Sequence, residues 1–235
     1  MALPLYLALT AAEFQNCSSL PEHIGWMACH YSPYGLGISN RPDALPAGSM
    51  LIFNDRTPPC GHDPELITQQ LGELVENFQC SSVLLDFQRP DYNENAAVAK
   101  AVTDALSCPV GVSELYAKEL DCPVFLPPVP LTAPINEYLR PWQGREVWLE
   151  AAMIGERFTV TATDNTCIPL ACIDQPSSGF CDSQLHCHYQ ACTFDNHIEF
   201  TLWRTEDDLD QLLQEAKSYH VTRTVGLFQE FKSNM

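Results

Sequence analysis

Asp86, Glu114 and Glu230 each stand at or just past the end of a short apolar run, and Glu13 and Asp55 hold the same position after two others. Carboxylates gathered from several strands can act as general acid and base. A pair of them can cleave a glycosidic bond, with retention at a separation of about 5 to 5.5 Å and inversion at roughly 6.5 to 9.5 Å. Asp86 with Glu114 is the first pair to inspect and Asp86 with Glu230 the second. His30, Asn54, Gln88 and Gln229 occupy equivalent run-end positions and could hydrogen-bond a polar ligand. Tyr31 and Tyr34 in HYSPYG, Tyr92 after Pro90, Tyr116 after Glu114 and Trp142 in RPWQG fall in loops where flat rings could stack on sugar faces. Arg56 and Arg89 could neutralise nearby carboxylates. Such an acidic, aromatic-lined mouth suits a neutral, polyhydroxylated ligand.

The elements that must position these side chains follow from the spacing of the apolar runs. About eight runs have strand length: Leu3 to Leu9, Ile24 to Cys29, Met50 to Phe53, Val83 to Phe87, Val110 to Ser113, Pro123 to Leu126, an ambiguous seventh, and Val225 to Phe228. Helical patterns fill spacers 64–78, 93–106 and 206–219; the last follows Thr205, with acidic residues clustered in its first turn. Strand and helix in alternation imply a parallel sheet, and about eight strands in 235 residues imply a closed (β/α)8 TIM barrel. The spacers 114–122 and 40–48 are too short or irregular for full helices, so the barrel is expected to have reduced helices. Between residues 145 and 204 the rhythm breaks. Segments 146–153 and 157–163 read as one hairpin, 185–193 and 197–203 as a second, and Gln175 to Asp182 as the loop between them. The expectation is a single barrel domain over residues 1–235, with a small antiparallel β insertion at about 145–197. The seventh barrel strand is either Glu146 to Leu149 or Ile198 to Trp203, and the latter is preferred because a helix and the eighth strand follow it directly.

Twelve Lys and Arg against thirty Asp and Glu give a net charge of −18, a field that repels nucleic acid and anionic lipid. No apolar run approaches the roughly 18 to 20 residues of a membrane span, and the opening MALPLYLALTAAEF lacks a basic leader, so the chain is read as cytoplasmic. The odd count of eleven cysteines points the same way, to a reduced compartment with buried thiols behaving as small hydrophobes. No GxGxxG or GxxxxGK[ST] follows any strand, which argues against nucleotide binding. Cys181, His186, Cys187, His188, Cys192 and His197 are zinc-type ligands, but no CxxC pair exists and only His186 and His188 would share a strand face. Packing and surface exposure are the better explanation of that cluster, and metal content would decide it.

The text around the fourth run is the most specific. Ser81-Ser82-Val83-Leu84-Leu85-Asp86-Phe87-Gln88-Arg89-Pro90 resembles the fourth strand of glycoside hydrolase family 18, the chitinase family, whose DxxDxDxE motif ends in Asp, an aromatic and Glu, closely followed by Pro. The order of elements agrees, including the late β-rich insertion, and Val225 to Glu230 is similar to the closing strand of such barrels without its common Trp. The first two motif aspartates are replaced by Ser81 and Leu84, and the general acid by Gln88. An amide cannot protonate a glycosidic oxygen. The resemblance implies an Asp86 that orients a substrate's N-acetyl group and a Gln88 that hydrogen-bonds the linkage. The expected catalytic positions are thus Asp86, Gln88, Glu114 and Glu230, and the expected ligand-binding residues Glu13, Tyr31, Asn54, Asp55, Arg89, Tyr92 and Tyr116. No cofactor and no metal ligand are expected. The expected partner is a glycan or small polar ligand, in a carbohydrate-active protein or, alternatively, in a non-catalytic binding or scaffold protein with a structural metal in its insertion.

Overall fold

The structure is a computed structural model that describes residues 3–170 and 179–231. The strands are β1 (Leu5–Leu9), β2 (Ile24–Ser32), β3 (Gly35–Ile38), β4 (Met50–Asn54), β5 (Ser82–Asp86), β6 (Val110–Ser113) and β7 (Val124–Leu126). There follow β8 (Val147–Glu150), β9 (Gly155–Thr161), β10 (Asn165–Pro169), β11 (Phe180–Asp182), β12 (Cys187–Thr193), β13 (His197–Trp203) and β14 (Val221–Leu227). The helices are α1 (Ala11–Asn16), α2 (Pro64–Phe78), α3 (Glu94–Ala105), α4 (Glu114–Ala117), α5 (Ile135–Leu139), α6 (Glu206–Ala216) and α7 (Phe228–Phe231). The chain divides into two compact units. One comprises Pro4–Pro127, Gly144–Glu150 and the chain from Val221 on; the other comprises Pro128–Gln143 and Ala151–His220.

The first unit is a closed barrel. Its eight parallel strands run β1-β2-β4-β5-β6-β7-β8-β14, with β14 returning to β1 and β3 folded back antiparallel on β2. Alternate residues turn inward, as the period of two requires. Tyr6 and Ala8, Met50 and Ile52, Leu84, Phe125, Trp148 and Val225 make one buried cluster. Burial of a Val, Leu, Ile, Phe or Met side chain in it stabilises by about 1.5 to 3 kcal/mol. The large indole of Trp148 has room because β6 carries Gly111 opposite it: a Cβ there would lie 2.2 Å from the ring. Arg223 lies over the Trp148 ring at 4.7 Å and Tyr6 at 5.7 Å, while Trp148 Nε1 donates to Glu146 Oε1 at 3.0 Å.

The longest helix, α2, has both a cap and an apolar stripe supplied by the sequence. Asp63 caps α2 through Glu65 N–H with Pro64 in the first turn, Gln79 closes it in the left-handed region, and Ile67, Leu71, Leu74 and Phe78 form its buried face. Spacer 114–122 holds only the four residues of α4, and spacer 40–48 holds no helix, as expected of a reduced barrel.

The second unit contains a five-stranded antiparallel sheet, β10-β9-β13-β12-β11. Leu131, Cys187 and Leu202 form its buried centre, with Ile154, Phe158 and Phe200 against them. A capping box between Thr205 and Asp208 starts α6.

Three expectations are corrected. The seventh barrel strand is β8, Val147–Glu150, not Ile198–Trp203. Val147, Trp148 and Leu149 are all buried, as a strand covered on both faces requires, whereas β13 pairs antiparallel with both β9 and β12. For the same reason 146–153 and 157–163 form no hairpin, because β8 and β9 belong to different sheets. The hairpin of β12 and β13 is present as expected. Of the loop read at Gln175 to Asp182, residues 175–178 lie outside the described residues, and Phe180–Asp182 is strand β11.

Candidate functional site

The site begins with the end of β5. Asp86 is the last residue of the strand, paired with Asn54 at the end of β4. Period two sends Leu84 and Asp86 into the barrel and Phe87 out. There Phe87 is fully buried against Phe53, Tyr31 and Tyr116, with its N–H on Ser113 Oγ at 3.0 Å. Gln88 then turns back, and its Nε2 donates to Asp86 Oδ1 at 2.6 Å. The Asp-Phe-Gln text thus presents a carboxylate and an amide, hydrogen-bonded to each other, at the barrel mouth.

A buried polar network holds this turn in place. Asp55 Oδ1 accepts Gln88 N–H at 3.0 Å, and Oδ2 accepts Arg89 N–H at 2.8 Å and Asn95 Nδ2 at 2.9 Å. Asn95, fully buried, accepts the Tyr31 hydroxyl at 2.8 Å. The Tyr116 hydroxyl donates to the Arg89 carbonyl. Every member is partnered, so the network fixes the backbone on which Gln88 stands.

The third contributor comes from β8. Trp148 and Glu150 share its inward face, which puts the Glu150 carboxyl above the indole that plugs the barrel. A cavity of about 480 Å³ opens there, lined by Asp86, Glu150, Gln88, Asn54, Arg56 and Arg89 over a floor of Ala8, Ile52, Leu84, Phe125 and Val225. Burial, then the negative charges of Asp86 and Glu230, push the Glu150 carboxyl up to about 7. Burial also raises Asp86 above the ordinary carboxylate range; Asp55 adds to this, and the Gln88 amide and Arg56 act against it. Two carboxyls of different acidity facing one cavity can divide the roles of proton donor and charge stabiliser near neutral pH.

The expected residues separate into those at the cavity and those behind it. Asp86, Gln88, Asn54, Arg89 and Asp55 line it. Glu230, on α7, acts through its field on Glu150. Glu114 lies instead in a side cavity of about 220 Å³ shared with Gln88, Ser113, Leu115, Phe125 and Pro127, where burial raises its carboxyl. Tyr31 is 1% exposed with its hydroxyl on Asn95, so its ring packs behind the loop. Asp55 is 2% exposed, and its oxygens serve the β5 turn. Tyr116 also directs its hydroxyl to that turn, and Tyr92 contributes its carbonyl there. Glu13 Oε2 closes the capping box of α1 on Thr10 at 2.8 Å. Glu150 escaped the sequence reading because the strand that carries it was placed elsewhere. Its signal was a carboxylate directly after the continuous apolar run Val147-Trp148-Leu149.

With this geometry in view, comparison with known proteins gives a consistent fold. The chain is similar to a glycoside hydrolase family 18 chitinase variant from Cycas revoluta in complex with (GlcNAc)4, with a TM-score of 0.57 and 12% identity over 96% of this chain and 94% of that one. A chitinase from Chromobacterium violaceum gives 0.57 with 9% identity over 96% and 93%, respectively. The spore cortex-lytic enzyme SleL of Bacillus megaterium gives 0.56 with 8% identity over 95% of this chain and 70% of that one. No family model and no curated protein matches the sequence. At these identities the likeness is one of fold, and at that level the resemblance read from the fourth strand holds: the chain is a TIM barrel with the fold of these glycoside hydrolases.

Proposed function

We propose that the barrel binds an N-acetylated glycan at its mouth, with Asp86 oriented to an acetamido group and Gln88 to a glycosidic oxygen. The observation that carries this reading is the hydrogen-bonded Asp86 and Gln88 pair at the wall of a cavity whose floor is apolar and whose rim is polar. Several structural neighbours are chitinases, and one of them holds (GlcNAc)4, which supports a glycan as ligand. Gln88 cannot act as a proton donor to a leaving oxygen in the way a carboxylic acid does, so the family's own hydrolytic route is closed at that position.

Gln88→Glu tests the reading. Glutamate at 88 stands beside Asp86 where the amide now donates, the two carboxyls share a proton, and hydrolysis of an N-acetylated chito-oligosaccharide is expected to appear. Adding Asp86→Asn should abolish it. A folded Gln88→Glu variant that neither cleaves nor binds the oligosaccharide would overturn the assignment; one that binds without cleaving would leave a lectin-like mouth.

Glu150 favours a second reading, hydrolysis by a rearranged pair in the unaltered chain. Its carboxyl, pushed up to about 7, is a proton donor suited to neutral pH, and Asp86 supplies the charge opposite it. Under this reading the wild-type protein cleaves the glycan, and activity falls as pH rises through about 7. The scaffold alternative makes no demand on any of these residues.

A further inference from the structure

The antiparallel sheet places Cys181 of β11 directly opposite His188 of β12, so their side chains emerge from one face of adjacent strands. Asp182 sets that register by accepting the N–H groups of Gln184 and Leu185 in the intervening turn, at 2.9 and 3.1 Å. The third residue of α6, Asp208, meets the same face: its Oδ2 accepts the N–H and hydroxyl of Thr205 and lies 2.7 Å from His188 Nδ1. One ligand atom from each of Cys181, His188 and Asp208 falls within 4.8 Å of the other two. Of the other members of the Cys and His cluster in the sequence, Cys192 is an exposed thiol on β12 and three are engaged elsewhere. His186 pairs with Glu215 at 2.8 Å, Cys187 is buried against the Leu131 carbonyl, and His197 meets Asn196.

We propose that Cys181, His188 and Asp208 form a binding site for a zinc-class divalent ion. Thiolate, imidazole and carboxylate together are the ligand set of zinc and its neighbours, and the sulfur discriminates against magnesium and calcium. On binding, the ion takes the place of the Cys181 thiol proton, while a neutral His188 coordinates through Nδ1 with its N–H on Nε2, so metal uptake releases the thiol proton. Three protein ligands leave one position for water or an exogenous donor. The ion joins the β11 and β12 hairpin to the first turn of α6, tying segments that the backbone ladder alone does not connect.

The test is metal content and spectroscopy of the full chain. Protein purified from zinc-supplemented medium is expected to retain one Zn²⁺ per chain, and exchange into Co²⁺ to give a thiolate-to-cobalt charge-transfer band. Cys181 is exposed, so Cys181→Ser should keep the fold, checked by circular dichroism, while losing both the bound ion and the band. Cys167→Ser, at another exposed thiol outside the cluster, should change neither. Zinc bound equally by wild type and Cys181→Ser, or no zinc retained by wild type, would overturn the site.

Discussion

Asp55 and Asp86 show how position divides the work of one residue type. They belong to neighbouring strand ends, yet Asp55 is enclosed by three N–H donors and holds the turn, while Asp86 faces the cavity with the Gln88 amide at its Oδ1. The sequence made Asp86 and Gln88 legible because both follow an unbroken apolar strand, but it could not show that Tyr31 and Asp55 reach sideways to Asn95. Such a network forms across 40 to 64 residues of chain and leaves no local pattern. Glu150 supplies a residue-scale prediction. Its folded pKa of about 7 lies above the ordinary 4.5, so its contribution to stability is complete below about pH 4.5 and lost as pH rises through about 7. Glu150→Gln removes that titration. Relative to wild type it should gain about 3 kcal/mol between acid and mildly alkaline pH, read from denaturant melts across that range. A difference that does not vary with pH would show that Glu150 ionises normally.

At the scale of elements, most of the barrel could be read from the lengths of its apolar runs, while the seventh strand could not. Val147–Glu150 is four residues long and follows the short, five-residue α5, whereas β13 is longer and leads straight into the eleven-residue α6. The distinguishing physics lay in the pattern: a continuous apolar run for a strand covered on both faces, and half-buried alternation for an antiparallel sheet. The choice of strand also decided the site, since Glu150 travels with β8. The packing of β6 against β8 can be tested directly. Gly111→Ala drives a methyl group into the Trp148 ring and should cost about 1 to 3 kcal/mol, with the loss partly relieved when combined with Trp148→Leu. Additive losses measured by equilibrium unfolding would mean that the two residues do not share the barrel interior.

The whole molecule carries a charge of −18 and arranges part of it around a polar cavity in a closed barrel. Burial, and after it the crowding of neighbouring carboxylates, pushes Glu150 up to about 7, and the same carboxylates disfavour an anionic ligand. A neutral sugar with amide and hydroxyl groups answers both features. The net charge and the barrel were both readable from composition and rhythm. Asp86 with Glu230 was also readable, but the place of Glu150 beside them was not, because it depends on closure of the sheet and the return of β14 beside β8. The claim that the mouth is a glycan site is tested most directly by calorimetric titration of (GlcNAc)4 into the wild-type protein and into Asp86→Ala. Saturable binding by wild type, weakened at least about tenfold in a variant of unchanged melting temperature, is the expected result, corresponding to a loss of about 1.4 kcal/mol or more. Absence of binding, or equal affinity in the two proteins, would contradict it.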